Sequence, residues 1–64
     1  MTENARQAIE QNLLLFKETN NIMFYTICQS LAATYSLTDY LTDTAYFFNL
    51  DSKIAAFNKL NDFN

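Results

Sequence analysis

The residues of this chain that could do chemistry are few, and the first to consider are two aspartates within TDYLTDTAYFFNLD, residues 38–51. Asp39 and Asp43 are one turn apart on a helix, so their carboxylates could share a metal ion or a proton. Such pairs are common on solvated helix faces, and the chain has no histidine for a metal site and no glycine for a phosphate loop. We therefore interpret the pair as solvated, and we predict a protein that is not an enzyme and needs no metal or cofactor.

The one cysteine, Cys28, lies in the most apolar segment of the chain. That setting favours a small buried side chain over a reactive nucleophile. A single cysteine excludes an intrachain disulfide, and the polar first segment, MTENARQAIEQ, is unlike a signal peptide. A free thiol without a signal peptide predicts a cytoplasmic protein.

The charges are sparse and mostly negative, with a formal net charge of −3 at pH 7. The basic residues are scattered along the chain: Arg6, Lys17, Lys53 and Lys59. Nucleic-acid binding needs a basic patch, and none is visible, so nucleic acid is disfavoured as a partner. Only 17% of the residues are charged against a typical ~25%, which favours a buried interface with a protein partner or a second copy.

Length and composition together predict the fold class. The chain has 64 residues, enough for a single helical domain over residues 1–64. The absence of glycine and proline removes the usual tight β-turns and costs a helix nothing. We predict an all-α bundle of three to four short helices. A core this small supplies only about 3–5 kcal/mol, so we expect oligomerisation or a partner to complete it.

Periodicity predicts the first helix over residues 3–18, with Thr2 as its N-cap. Its apolar face would hold Ala5, Ala8, Ile9, Leu13, Leu15 and Phe16. The segment ETNN, residues 18–21, predicts a turn, because asparagine accepts the left-handed backbone at a helix end and can also cap the next helix. A single bent helix over residues 3–35 is the alternative, since no glycine or proline forces a stop.

The second predicted helix, residues 22–35, is apolar on nearly all sides, which indicates a central helix around which the others pack. The stretch from residue 19 to residue 38 carries no charge and has the length of a membrane span. Its apolar part is shorter and is flanked by Thr, Asn and Ser, so a buried core helix is favoured over a membrane helix.

Ser36 and Asp39 have the spacing of a capping box, which predicts a third helix from about residue 37. Its dry arc would hold Leu37, Tyr40, Leu41, Thr44, Ala45, Phe47 and Phe48. Its wet arc would hold Thr38, Asp39, Thr42, Asp43, Tyr46 and Asn49. Asp51 would cap a fourth helix over residues 52–61. That helix would bury Ile54, Ala56, Phe57 and Leu60, with Phe63 closing it against the bundle.

Six residues form the predicted protein interface: Asn12, Leu14, Phe16, Tyr40, Tyr46 and Phe47. Leu14 and Tyr46 are apolar positions on otherwise polar faces, and tyrosine is a common interface hot spot. Asn12 lies within an apolar arc, where it is either an edge residue or a buried amide that sets the register between helices.

These observations favour a non-enzymatic protein–protein interaction module that docks an apolar helical face on itself or on a larger protein. A small regulator or inhibitor, such as one encoded by a phage, fits this description, and so does an accessory subunit. One alternative is a helix-turn-helix-like DNA-binding regulator, since residues 29–41 have a suitable pattern, although the second helix would carry aspartates and no basic residue. The other alternative is a membrane-associated protein that uses residues 22–37.

Overall fold

The protein is an all-α bundle of four short helices, seen in a computed structural model that describes the backbone of residues 2–62 and the side chains of residues 2–60. The helices are α1 (Thr2–Thr19), α2 (Ile22–Tyr35), α3 (Thr38–Phe47) and α4 (Asp51–Asp62). No strand occurs among these residues. The predicted fold class is therefore confirmed, with α1 and α2 as two separate helices.

The turn between α1 and α2 uses both asparagines of the ETNN segment. Asn20 adopts a left-handed backbone with φ 60°, and its N–H donates to the carbonyl of Phe16 at 2.9 Å. Asn21 caps α2, because its side-chain oxygen accepts a hydrogen bond from the backbone N–H of Met23 at 3.0 Å. The predicted break is confirmed, and the single bent helix is wrong.

The predicted capping box at the start of the third helix is wrong. Ser36 is left-handed, with φ 57° and ψ 42°, and closes the C-terminal end of α2 by donating its N–H to Ala32. The N–H of Leu37 reaches the same Ala32 carbonyl at 2.8 Å. Leu37 is then the N-cap of α3, without a side-chain cap. The left-handed residue that ends a helix is usually glycine, and serine takes that position in a chain that has none.

The connection between α3 and α4 repeats this geometry. Asn49 is left-handed with φ 62°, and the N–H of Leu50 donates back to the carbonyl of Ala45 at 2.8 Å. The Leu50 carbonyl then accepts the first helical bond of α4, from Ile54. Asp51 is thus the first residue of α4 rather than its cap, so the helix begins one residue earlier than predicted. Its carboxylate lies in the first turn, where negative charge is favourable.

The core runs along α1 rather than around α2. Its buried apolar residues are Ala5, Ile9, Leu13 and Phe16 from α1, Cys28 and Ala32 from α2, Leu41 and Ala45 from α3, and Leu37 and Leu50 from the connections. The prediction that α2 is the central, buried helix is therefore wrong. Leu15 of α1 is also exposed, against prediction. Within the part of the chain that the structure describes, no helix has both the length and the apolar character to cross a membrane.

The buried and exposed residues of α3 agree closely with the prediction, whereas those of α4 agree less well. All six residues of the predicted wet arc of α3 are exposed. Phe47, predicted on the dry arc, is 79% exposed. On α4, Ile54 and Phe57 are half-buried, whereas Ala56 and Leu60 are exposed and not buried as predicted. The predicted contact of Phe63 lies outside the described residues.

Candidate functional site

The residues that could do chemistry are two exposed aspartates one turn apart on α3 and one buried cysteine on α2. Asp39 and Asp43 are both exposed on α3, and among residues 2–62 no three metal-ligating side chains are grouped. Cys28 is fully buried, as predicted, and its Sγ donates to the carbonyl of Ile9 at 3.4 Å. Burial raises the pKa of Cys28 to about 11, so the thiol is protonated at neutral pH and is a poor nucleophile.

The six predicted interface residues do not share one surface. Tyr40 and Phe47 share a groove between α1 and α3. Leu14 and Tyr46 are exposed, Tyr46 by 71%. Phe16 is fully buried and packs against the rings of Tyr25 and Phe57, which removes it from the candidate surface.

Asn12 is half-buried, and its amide bonds within its own helix. Its Nδ2 donates to the carbonyl of Ala8, one turn earlier in α1, at 2.8 Å. The amide donor is thus satisfied inside α1 instead of reaching across to another helix. This geometry fits the edge reading of Asn12 better than the register-setting one.

We name the first candidate surface the α1–α3 groove. It has a volume of about 330 Å³ and is lined by Glu10, Tyr40, Asp43, Thr44, Phe47 and Phe48. Helix α3 places Tyr40, Asp43, Thr44 and Phe47 on one side because they recur at three- and four-residue spacings. Glu10 comes from α1, so the two carboxylates of the groove stand on different helices.

The α1–α3 groove combines aromatic rings with negative charge. The rings of Phe47 and Phe48 are 5.8 Å apart. The guanidinium of Arg6 lies over the Tyr40 ring, 5.3 Å from its centroid. Burial raises the pKa of Tyr40, and the neighbouring Glu10 carboxylate raises it further. The hydroxyl of Tyr40 therefore stays neutral at physiological pH, while the ring already holds one cation.

We name the second candidate surface the outer face, formed by Leu15, Met23 and Ile27. Leu15 stands about two and a half turns after Arg6, whose guanidinium contacts α3, so Leu15 lies on the opposite side of α1. Tyr25 lines a groove with residues of α3 and α4. Met23 and Ile27 are each about half a turn from Tyr25, so they lie on the side of α2 away from α3 and α4.

The outer face is apolar and open. Met23 is 65% exposed, and Leu15 and Ile27 are each 40% exposed. No residue of α2 is charged, so any charge near the outer face comes from α1 or from the chain after α2. Single exposed apolar residues are ordinary, whereas several large ones that lie together are typical of a surface that binds proteins.

The described basic side chains do not gather on one surface. Arg6 lies over Tyr40, whereas Lys53 lies over the Phe16 ring and bonds to the side chain of Asn20. In the helix-turn-helix hypothesis α3 would be the recognition helix, but its exposed face carries Asp39 and Asp43. A helix that enters the major groove usually brings positive or amide side chains.

The predicted interface residues include two of the groove, Tyr40 and Phe47, and none of the outer face. Glu10 and Phe48 complete the α1–α3 groove, but Glu10 looked like part of a solvated face of α1. Met23 and Ile27 looked like core, because α2 is apolar on nearly all sides and gives no sign of which side is buried. The polar residues Thr26 and Ser30, which interrupt the apolar sequence of α2 next to Met23 and Ile27, are the only local sign of an exposed side.

Comparison of the chain with family models, curated proteins and solved structures finds no match.

Proposed function

We propose that this protein is a non-enzymatic interaction module that docks its outer face on a second copy of itself or on a larger protein. One observation carries the proposal: Leu15, Met23 and Ile27 are exposed apolar side chains on the sides of α1 and α2 that are turned away from α3. Burying such a patch against a partner is favourable by about 25 cal/mol for each Å² of apolar surface removed from water.

The size of the chain supports the same proposal. A core of this size supplies only about 3–5 kcal/mol, and the described part of α4 adds no fully buried side chain to it. A partner on the outer face would add burial at α2, whose buried residues are Cys28 and Ala32 alone. A small regulator or inhibitor, or an accessory subunit, acts in this way, and the single free cysteine is compatible with work in the cytoplasm.

The first test is the native mass in solution, measured by light scattering after size exclusion over a range of concentrations. The test variant is Met23→Glu, which places a charge on the outer face at a position that is already mostly exposed. The control is Gln29→Glu, which adds the same charge to α2 on an exposed position more than a quarter-turn away from Met23. Circular dichroism checks that both variants keep their helices.

A dimer or larger assembly that dissociates in Met23→Glu and persists in Gln29→Glu identifies the second copy as the occupant. If the wild-type chain is a monomer, it is used as tagged bait, and a larger protein must be captured by the wild type and by Gln29→Glu but lost with Met23→Glu. A monomer whose captured proteins are the same for all three chains overturns the proposal.

A further inference from the structure

We propose that the α1–α3 groove binds an arginine side chain from a basic segment of a partner protein. The inference rests on the proposed function, since it names the chemistry of a partner, but it uses a different surface. The guanidinium would lie beside the carboxylates of Glu10 and Asp43, and the aliphatic stem of the arginine would cross the rings of Phe47 and Phe48.

Charge complementarity is the first argument. The groove lining includes two carboxylates and no basic residue, in a chain with a formal net charge of −3 at pH 7. The carboxylates come from two helices, and the Arg6 guanidinium beside the groove lies over the Tyr40 ring, so the two negative charges of the lining exceed the one positive charge next to it. An acidic partner would meet like charge on both walls, which is unfavourable.

The rings are the second argument, and they favour arginine over lysine. A guanidinium stacks on an aromatic face while its N–H groups still bond to carboxylates in the ring's vicinity, whereas an ammonium is a compact and strongly hydrated charge. The structure contains one example of this pairing, because the guanidinium of Arg6 lies 5.3 Å from the centre of the Tyr40 ring.

Phe47 is the third argument. It is 79% exposed, the most exposed of the large apolar side chains described, and it stands at the mouth of the groove next to Phe48. A phenylalanine that contributes so little to the core is available to cover the stem of an incoming side chain. Arginine buries its apolar stem in this way while its head group keeps polar partners.

The test measures the affinity of the full chain for a short helical peptide that carries leucine and arginine on successive turns. A second peptide has citrulline in place of every arginine, which keeps the shape and removes the charge. We expect the arginine peptide to bind about two- to fivefold more tightly than the citrulline peptide, which is the gain in affinity that one exposed cation–π contact gives. We also expect added salt to weaken only the arginine peptide.

Three variants locate the binding. Asp43→Asn and Phe47→Ala should each weaken the arginine peptide by about two- to fivefold. Asp39→Asn is the matched control, because Asp39 is exposed on the same helix one turn earlier and does not line the groove. All three positions are exposed, and circular dichroism verifies that each variant is folded.

The coupling between peptide and variant decides the outcome. The inference holds if Asp43→Asn weakens the arginine peptide and leaves the citrulline peptide unchanged. It is overturned if the two peptides bind alike, or if Asp39→Asn weakens binding as much as Asp43→Asn, which would reflect net charge alone. Neither result changes the native mass or its dependence on Met23, so failure here is distinct from failure of the proposed function.

Discussion

Helices α1 and α2 pack side by side but are held in place by different means. Helix α1 contains charged residues on its solvent side and buries a stripe along its length, formed by Ala5, Ile9, Leu13 and Phe16. Helix α2 contains no charged residue and buries only Cys28 and Ala32, which are one turn apart. Apolar content alone therefore does not decide burial, because a helix is buried along a regular apolar stripe that faces a partner helix.

The ends of α2 compensate for its short buried stripe. Asn21 satisfies the N–H of Met23 at one end, and the left-handed Ser36 satisfies the Ala32 carbonyl at the other. A cap of the first kind contributes typically about 1 kcal/mol. With its ends fixed locally, α2 can stay helical while Met23 and Ile27 remain open to a partner, which a helix held only by packing could not do.

Replacement of Phe16 by alanine tests the α1 half of this comparison and should have the largest effect. The Phe16 ring is fully buried, with the rings of Tyr25 and Phe57 each 5.7 Å away. Removing a buried phenylalanine costs about 3–5 kcal/mol, which is as much as a core of this size supplies. We expect Phe16→Ala to lose the cooperative thermal transition that circular dichroism records for the wild-type chain.

Phe47→Ala is the control for this experiment, since it removes the same side chain from an exposed position. Surface changes of this kind usually alter the free energy of unfolding by less than about 0.5 kcal/mol. Equal losses in Phe16→Ala and Phe47→Ala would contradict the assignment of the core to α1.

The buried thiol of Cys28 on α2 makes the free energy of unfolding depend on pH. Burial raises the pKa of Cys28 from 9.0 to about 11, so above pH 9 the unfolded chain releases a proton that the folded chain keeps. The stabilising effect of the neutral thiol is complete below pH 9 and is lost as the pH rises through about 11. We expect the free energy of unfolding, measured with urea at stepwise pH, to fall across this range, by less than the loss of Phe16.

Cys28→Ala isolates that contribution. Burial also raises the pKa values of Tyr25 and Tyr40, which titrate in both chains, so the difference between the two pH profiles belongs to the thiol. Parallel profiles would mean that Cys28 is not buried against α1, and the packing between the two helices would have to be reconsidered.

The helices themselves could be predicted from the sequence because their signals are local. Apolar spacing marks α1, and Asn20 and Asn21 mark its end and the start of α2, since each signal depends on residues within one or two turns. The burial of α2 could not be predicted, because a helix that is apolar on all sides contains no stripe to select its buried side. That selection depends on where α1 and α3 pack against α2.

The candidate surfaces show the same limit. Tyr40 and Phe47 were predicted as contact residues, and both line the α1–α3 groove. Glu10 was not predicted, because its place opposite Asp43 depends on how α1 and α3 cross. Ser36 failed for another reason: serine suits either a helix N-cap or a left-handed turn, and only the full path of the chain decides between them.

Ser36→Gly gives the smallest predicted effect and addresses that ambiguity directly. A residue with a Cβ pays roughly 1–2 kcal/mol to be left-handed, while glycine loses about 0.5–1 kcal/mol through the greater freedom of the unfolded chain. We expect Ser36→Gly to raise the free energy of unfolding by about 0.5–1 kcal/mol in urea denaturation, because φ at this position is 57°. Asn20→Gly is the comparison, and its gain should be smaller, since asparagine tolerates this backbone better than serine. If Ser36→Gly instead destabilised the protein, Ser36 would be acting as the N-cap of α3 with Asp39, and the end of α2 would have to be held by packing after all.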